Sequence, residues 1–199
     1  MQQKKVIRFI IGGAILLILI TWLLTTYNGL VKKEEKVKLQ WSEVQSVYQR
    51  RIDLIPNLVN VVKSVSGFEQ TVLEKISEAR AAAARGITND EISGENYEQQ
   101  KRLQDSLAAA ANRMIAVIEE YPNLKSTEAY TGLQTQLIGT ERRIKVARND
   151  FNAAIADYNK KVRSFPTKLL AGMFGFKKKQ GFQAEAGADK SVEIDFKSK

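Results

Sequence analysis

The sequence predicts an all-α protein: a single N-terminal transmembrane helix, then an antiparallel bundle of long helices, then an irregular C-terminal tail. Three observations predict it. The run from Phe9 to Val31 carries no charge and is rich in Ile and Leu. Apolar residues recur at three- and four-residue spacing through most of the remaining chain, the period of one helix face. Only three prolines interrupt 199 residues, and alanine-rich stretches are frequent, which favours helices over a sandwich or barrel. The chain divides into a basic flank (1–8), the membrane helix (9–27), the bundle (28–174) and a Gly/Lys-rich tail (175–199).

The anchor comes first. Lys4, Lys5 and Arg8 precede the apolar run, whose densest part is Phe9 to Leu24. With Thr25, Thr26 and Tyr27 it reaches the roughly 20 residues that cross a bilayer, and Trp22 and Tyr27 suit an interface. The rival reading is a cleaved signal peptide, which shares the basic start. The run is long for one, and no A-x-A-like site follows, so a retained anchor is expected. Lys32, Lys33, Lys36 and Lys38 on the far side nearly balance the N-terminal cations under the positive-inside rule. The short basic start tips the reading to N-terminus inside and bundle outside.

Three helical stretches follow. In the first, Leu30, Val37, Trp41, Val44, Tyr48, Ile55, Leu58, Val62 and Val65 form a seam, with Glu34 and Arg51 as polar exceptions. Pro56 deletes a backbone hydrogen bond and is expected to bend the helix there, so that one stretch supplies two rods. The pattern resumes through Val72, Ile76, Ala79 and Ala83 and ends at Gly86, with Asn89, Asp90, Ser93 and Gly94 in a loop. The second helix is expected from Asn96 to Glu120, with Tyr97, Leu103, Leu107, Ala110, Met114, Val117 and Tyr121 on its apolar face and Pro122 breaking it. The third repeats most regularly: Tyr130, Leu133, Leu137, Thr140, Ile144, Ala147, Phe151, Ala154 and Tyr158. Ser126 is its expected N-cap, and it stops before Phe165-Pro166. Short connections make neighbours antiparallel. Leu169, Leu170, Met173 and Phe174 form a short apolar turn, and Val192 to Phe196 alternates like a strand without a partner.

Composition excludes much chemistry. The chain has no Cys and no His, so it has no disulfide, thiolate nucleophile or imidazole, and neither a hydrolytic triad nor a usual zinc site is available. No cofactor and no small-molecule substrate are expected. The net charge of +9 suits an anionic surface, and no nucleic-acid motif accompanies it.

Four constellations stand out. Arg50, Asp53, Asn57, Asn60 and Ser64 share a helix face, either as a partner groove or as a register-setting polar layer inside the bundle. Arg51 falls on the apolar seam, where it could reach water or pair with Glu141 or Asp150. Glu141, Lys145, Arg148, Asn152 and Asn159 line one face of the third helix. Glu141 and Asp150, nine residues apart, point to different sides, which argues against an acid–base pair. Lys177, Lys178 and Lys179, flanked by Phe174, Phe176 and Phe182, form a candidate membrane-surface contact, with a solvated loop as the plain alternative. The alanine runs 81–84 and 108–111 serve close packing.

Several blocks together resemble one family. They are Tyr27-Asn28-Gly29-Leu30-Val31, Trp41-Ser42-Glu43-Val44, Tyr48 to Val59, Tyr121 to Lys125, Thr140 to Ile144, Ala147 to Asn152, Tyr158-Asn159, Phe165-Pro166 and Phe174-Gly175-Phe176. In this order they resemble the LemA family of bacterial membrane proteins over nearly the whole chain. The resemblance implies an N-terminal anchor on a four-helix, bromodomain-like bundle, with no catalytic residue to carry over. The lysine-rich segment after the anchor departs from the family pattern. The expectation is therefore a single-pass protein of the bacterial cytoplasmic membrane, a scaffold or adaptor for a protein partner and not an enzyme. The alternative is a module binding anionic lipid or an envelope polymer through its basic surface and Phe/Lys tail. The heptad seams suit one bundle or a homo-oligomer equally.

Overall fold

The computed structural model describes residues 2–63, 69–87 and 94–183. All regular structure among them is helical: α1 (Gln2–Lys63), α2 (Gln70–Ile87), α3 (Gly94–Ile118), α4 (Pro122–Lys125), α5 (Glu128–Arg163) and α6 (Thr167–Met173). The expected strand at 192–196 lies outside the described residues.

α1 holds both the apolar run and the first bundle rod in one helix of 62 residues, about 93 Å long at 1.5 Å per residue. Its N-terminal part includes one window long and apolar enough to cross a membrane, with none of that window buried in the protein. The Thr21 hydroxyl donates to the Leu17 carbonyl at 2.8 Å, and that of Thr25 to the Thr21 carbonyl at 2.9 Å. These hydroxyls are thus satisfied within the helix itself, as an apolar surrounding demands.

The rods part at a different place from the one expected. α1 runs on through Pro56 to Lys63, and the change of direction falls between Lys63 and Gln70. Leu58 and Val62, beyond the proline, are fully buried. Their packing holds the helix past the single hydrogen bond that Pro56 removes. Three long stretches thus give four long helices, with α1 against α5 and α2 against α3. α1 and α5 are antiparallel: Lys33 pairs with Asp157 near one end, and Arg51 with Glu141 farther along.

Helix ends show two further differences. Thr127, not Ser126, caps α5: its backbone is extended and its hydroxyl accepts from the Tyr130 amide at 3.3 Å. Ser126 is helical in φ and ψ and closes α4, which Pro122 opens. Gly94 begins α3 and is not a loop residue, whereas Asn89, Asp90 and Ser93 lie outside the described residues.

The seams of α1 and α5 are buried at the expected positions, from Leu30 to Val62 and from Tyr130 to Tyr158, with Ile52, Ile155 and Val162 added. The α3 seam is rotated from the expected one. It reads Tyr97, Gln100, Gln104, Leu107, Ala111, Met114 and Ile118, and Leu103, Ala110 and Val117 are only half-buried beside it. Two glutamines occupy core positions, so a seam traced through apolar residues alone drifts to a flanking face.

Those glutamines mark a division in the core. One apolar cluster joins Ile52–Val62, Val72–Ala83, Leu107–Ile118 and Tyr130–Leu137. The other joins Leu30–Tyr48, Tyr97, Ile144–Val162 and Ala171, on the side towards the apolar run of α1. Arg51, Gln104 and Thr140 are buried at the sequence positions where one cluster gives way to the other.

Candidate interaction site: a buried polar layer, a clamped tail and an outer groove

Arg51 is 2 % exposed and makes the core of the polar layer. Its Nη1 donates to the Gln104 carbonyl at 2.8 Å and to Gln104 Oε1 at 3.3 Å, and its Nη2 donates to Glu141 Oε1. Burial pulls the Arg51 pKa below its ordinary value, and the Glu141 carboxylate opposes that shift. Three helices, α1, α3 and α5, thus meet at one guanidinium. A misregistered α1 would bury that charge without these partners.

Arg148, on α5 in the turn before Phe151, also joins three helices. Its Nε donates to the Tyr48 hydroxyl at 2.8 Å, and its Nη2 donates to Asp105 Oδ1 at 3.0 Å. Burial works against the Arg148 charge, but Tyr48 and Asp105 outweigh it and raise the pKa. Burial also raises the pKa of the Tyr48 phenol.

Asn152 and Asn159 hold the tail. Asn152 Nδ2 donates to the Phe182 carbonyl at 3.2 Å, and its Oδ1 accepts from the Phe182 amide at 2.9 Å. Asn159 treats Lys179 in the same way, at 2.8 and 2.9 Å. A carboxamide offers one donor side and one acceptor side, so each asparagine satisfies both backbone groups of one residue in a segment with no ladder of its own. The tail begins at Gly175, whose φ of 77° favours glycine. Gly181 lies so close to Asn152 that a Cβ there would stand 2.5 Å from Asn152 Oδ1. Phe182 then completes an aromatic cluster, with its ring 5.5 Å from Phe151 and 6.1 Å from both Trp41 and Tyr97.

Of the three tail lysines, Lys177 and Lys178 are exposed. Lys179 pairs with Glu34 at 2.8 Å and lies 5.3 Å from the centre of the Tyr158 ring.

The stripe on α1 is placed differently. Arg50, Asp53, Asn57 and Asn60 are exposed, and Ser64 lies outside the described residues. The four are not a polar layer inside the bundle. The inward face of α1 is set by Val44, Tyr48, Arg51 and Ile55, and Arg50 is turned about 100° from Arg51 around the helix axis. Arg50, Asp53 and Asn57 instead line an open groove of about 720 Å³ beside α5. It shares Glu43, Val47 and Arg143 with a second groove of about 500 Å³ that reaches Val146 and Asp150. Gln104, Asp105 and the Tyr48 hydroxyl are the polar partners that sequence reasoning missed. The signal for them is the Gln100–Gln104 pair, four apart and in register with Tyr97 and Leu107.

Magnetosome protein MamQ 2 of Paramagnetospirillum magneticum is 29 % identical over 192 residues, covering 87 % of this chain and 70 % of the relative. Magnetosome protein MamQ of Magnetospirillum gryphiswaldense shows the same identity and coverage. Protein LemA of Metamycoplasma hominis is 23 % identical over 144 residues, covering 72 % of this chain and 63 % of the relative. The LemA family model matches residues 40–196, a span that takes in the polar layer and both asparagine clamps, and the chain belongs to the LemA family.

Proposed function

We propose that this chain is a single-pass, membrane-anchored scaffold or adaptor of the bacterial cell envelope, without catalysis of its own. One observation carries the reading: anchor and first bundle rod are the same unbroken helix, α1. A continuous helix transmits orientation, so the bundle stands at a set angle to the bilayer, as a platform for partners requires. Support against catalysis comes from the sequence, which has neither imidazole nor thiol, and from the use of Arg51, Glu141 and Arg148 in holding helices together. The partner surface in this reading is the groove lined by Arg50, Asp53 and Asn57.

The test is a photo-crosslinking residue placed in cells at Asn57, and separately at Arg113 in the groove between α2 and α3. The expected outcome is a discrete adduct from position 57 that Arg50→Glu abolishes. The same unspecific ladder from both positions would remove the groove as a partner site.

A further inference from the structure

We propose that α6 and Phe165 form a second membrane contact, a foot that lies in the interface where α1 emerges and takes anionic phospholipid headgroups. The inference rests on α1 crossing the bilayer and adds a site to that reading.

Position is the first argument. From Phe9 to Tyr27, α1 rises about 27 Å, close to the thickness of the hydrocarbon. α6 packs on α1 at this level. Thr26 and Leu30 are buried, Leu30 shares a cluster with Ala171, and the Tyr27 ring lies 5.1 Å from Phe174 and 5.8 Å from Phe176. Tyr27 is thus held at the bilayer boundary by the segment that follows α6.

The second argument is an apolar edge turned away from the protein. Thr167, Leu170 and Ala171 face inward, while Phe165, Leu169 and Met173 are 84 %, 62 % and 76 % exposed. Leu169 and Met173, four apart in α6, fall on one side of it, and Phe165 precedes the helix. Outside the apolar run of α1 they are the most exposed large apolar residues among those described. An interfacial helix buries such an edge among headgroups and upper acyl chains.

Charge is the third. Residues 158–183 contain no carboxylate and seven cations, three at the end of α5, Lys168 in α6, and Lys177, Lys178 and Lys179 in the tail. Lys179 is engaged by Glu34. The rest meet the roughly four to eight cations that mark an anionic-lipid site. The tail lysines alone fall short of that number, and the fold supplies the others from the end of α5 and from α6.

The experiment uses the full, cysteine-free chain in vesicles. Leu169→Cys carries an environment-sensitive fluorophore, as does Leu17→Cys in the apolar run. Lipid-borne nitroxides sit either near the headgroup or near the acyl methyl end. The expected result is a blue-shifted Leu169 probe quenched mainly by the shallow nitroxide, and a Leu17 probe quenched mainly by the deep one. Adding phosphatidylglycerol to phosphatidylcholine should strengthen quenching at Leu169, and salt or Lys177→Gln with Lys178→Gln should weaken it. A water-like Leu169 probe beside a deeply quenched Leu17 probe overturns the foot and leaves the anchor standing. A shielded Leu169 probe that no nitroxide quenches overturns it in favour of a second protein or a second copy. Equal quenching with and without phosphatidylglycerol overturns the anionic headgroup as its ligand. An unquenched Leu17 probe overturns the anchor, and the foot with it.

Discussion

At the scale of residues, the polar layer makes an asymmetric prediction. Glu141 is half-exposed, whereas Arg51 is buried. Glu141→Ala leaves a buried guanidinium short of its carboxylate and is expected to cost about 1–3 kcal/mol. Arg51→Met combined with Gln104→Leu removes the charge together with the buried Gln104 carboxamide, lets Glu141 turn to water, and is expected to be neutral or stabilising. Thermal unfolding of the full chain in micelles, followed by circular dichroism, separates the two. Tyr97 gives a pH prediction. Burial pushes its phenol from 10.0 up to about 12, so its contribution to stability is complete below pH 10 and lost as the pH rises through 12. Its hydroxyl has no hydrogen-bond partner among the described residues. Tyr97→Phe should therefore cost little at neutral pH and flatten the alkaline loss in the same unfolding assay.

At the scale of elements, helix existence was legible because apolar spacing repeats over many turns of α1 and α5, and burial follows it position by position. Helix limits were less so. Ser126 and Thr127 are both good caps by residue type, and only the extended backbone at Thr127 decides between them. Residues 175–183 carry no helix or strand period, yet they lie clamped along α5 by Asn152 and Asn159. Asn159→Ala removes both hydrogen bonds to Lys179 and should speed tryptic cleavage at Lys177 and Lys178 several-fold, while shifting global unfolding by only about 1–2 kcal/mol. Cleavage at the wild-type rate would show that Phe182 and Lys179 hold the tail without it.

At the scale of the whole molecule, one helix joins the apolar run to the bundle, so in the proposed single-pass arrangement the side of the membrane on which α2 and α3 stand follows from the orientation of α1. With the N-terminus inside, Glu74→Cys on the exposed face of α2 should react with an impermeant maleimide on intact cells, or on spheroplasts where an outer membrane intervenes. Protection until lysis would place the bundle in the cytoplasm and turn the search for partners to that side.

The sequence by itself determined the helical class, the apolar run and the seams of α1 and α5, because each is written in local spacing and the period of a helix is known in advance. It also excluded imidazole and thiol chemistry outright. Only the tertiary structure decided which polar residues are inside. Arg50 and Arg51 are neighbours in sequence, and a rotation of about 100° puts one in water and the other in the core. The same holds for the pairing of Arg51 with Gln104 and Glu141 and for the clamped tail. Each joins segments far apart in the chain, and partners of that kind are chosen by packing, on which local sequence is silent.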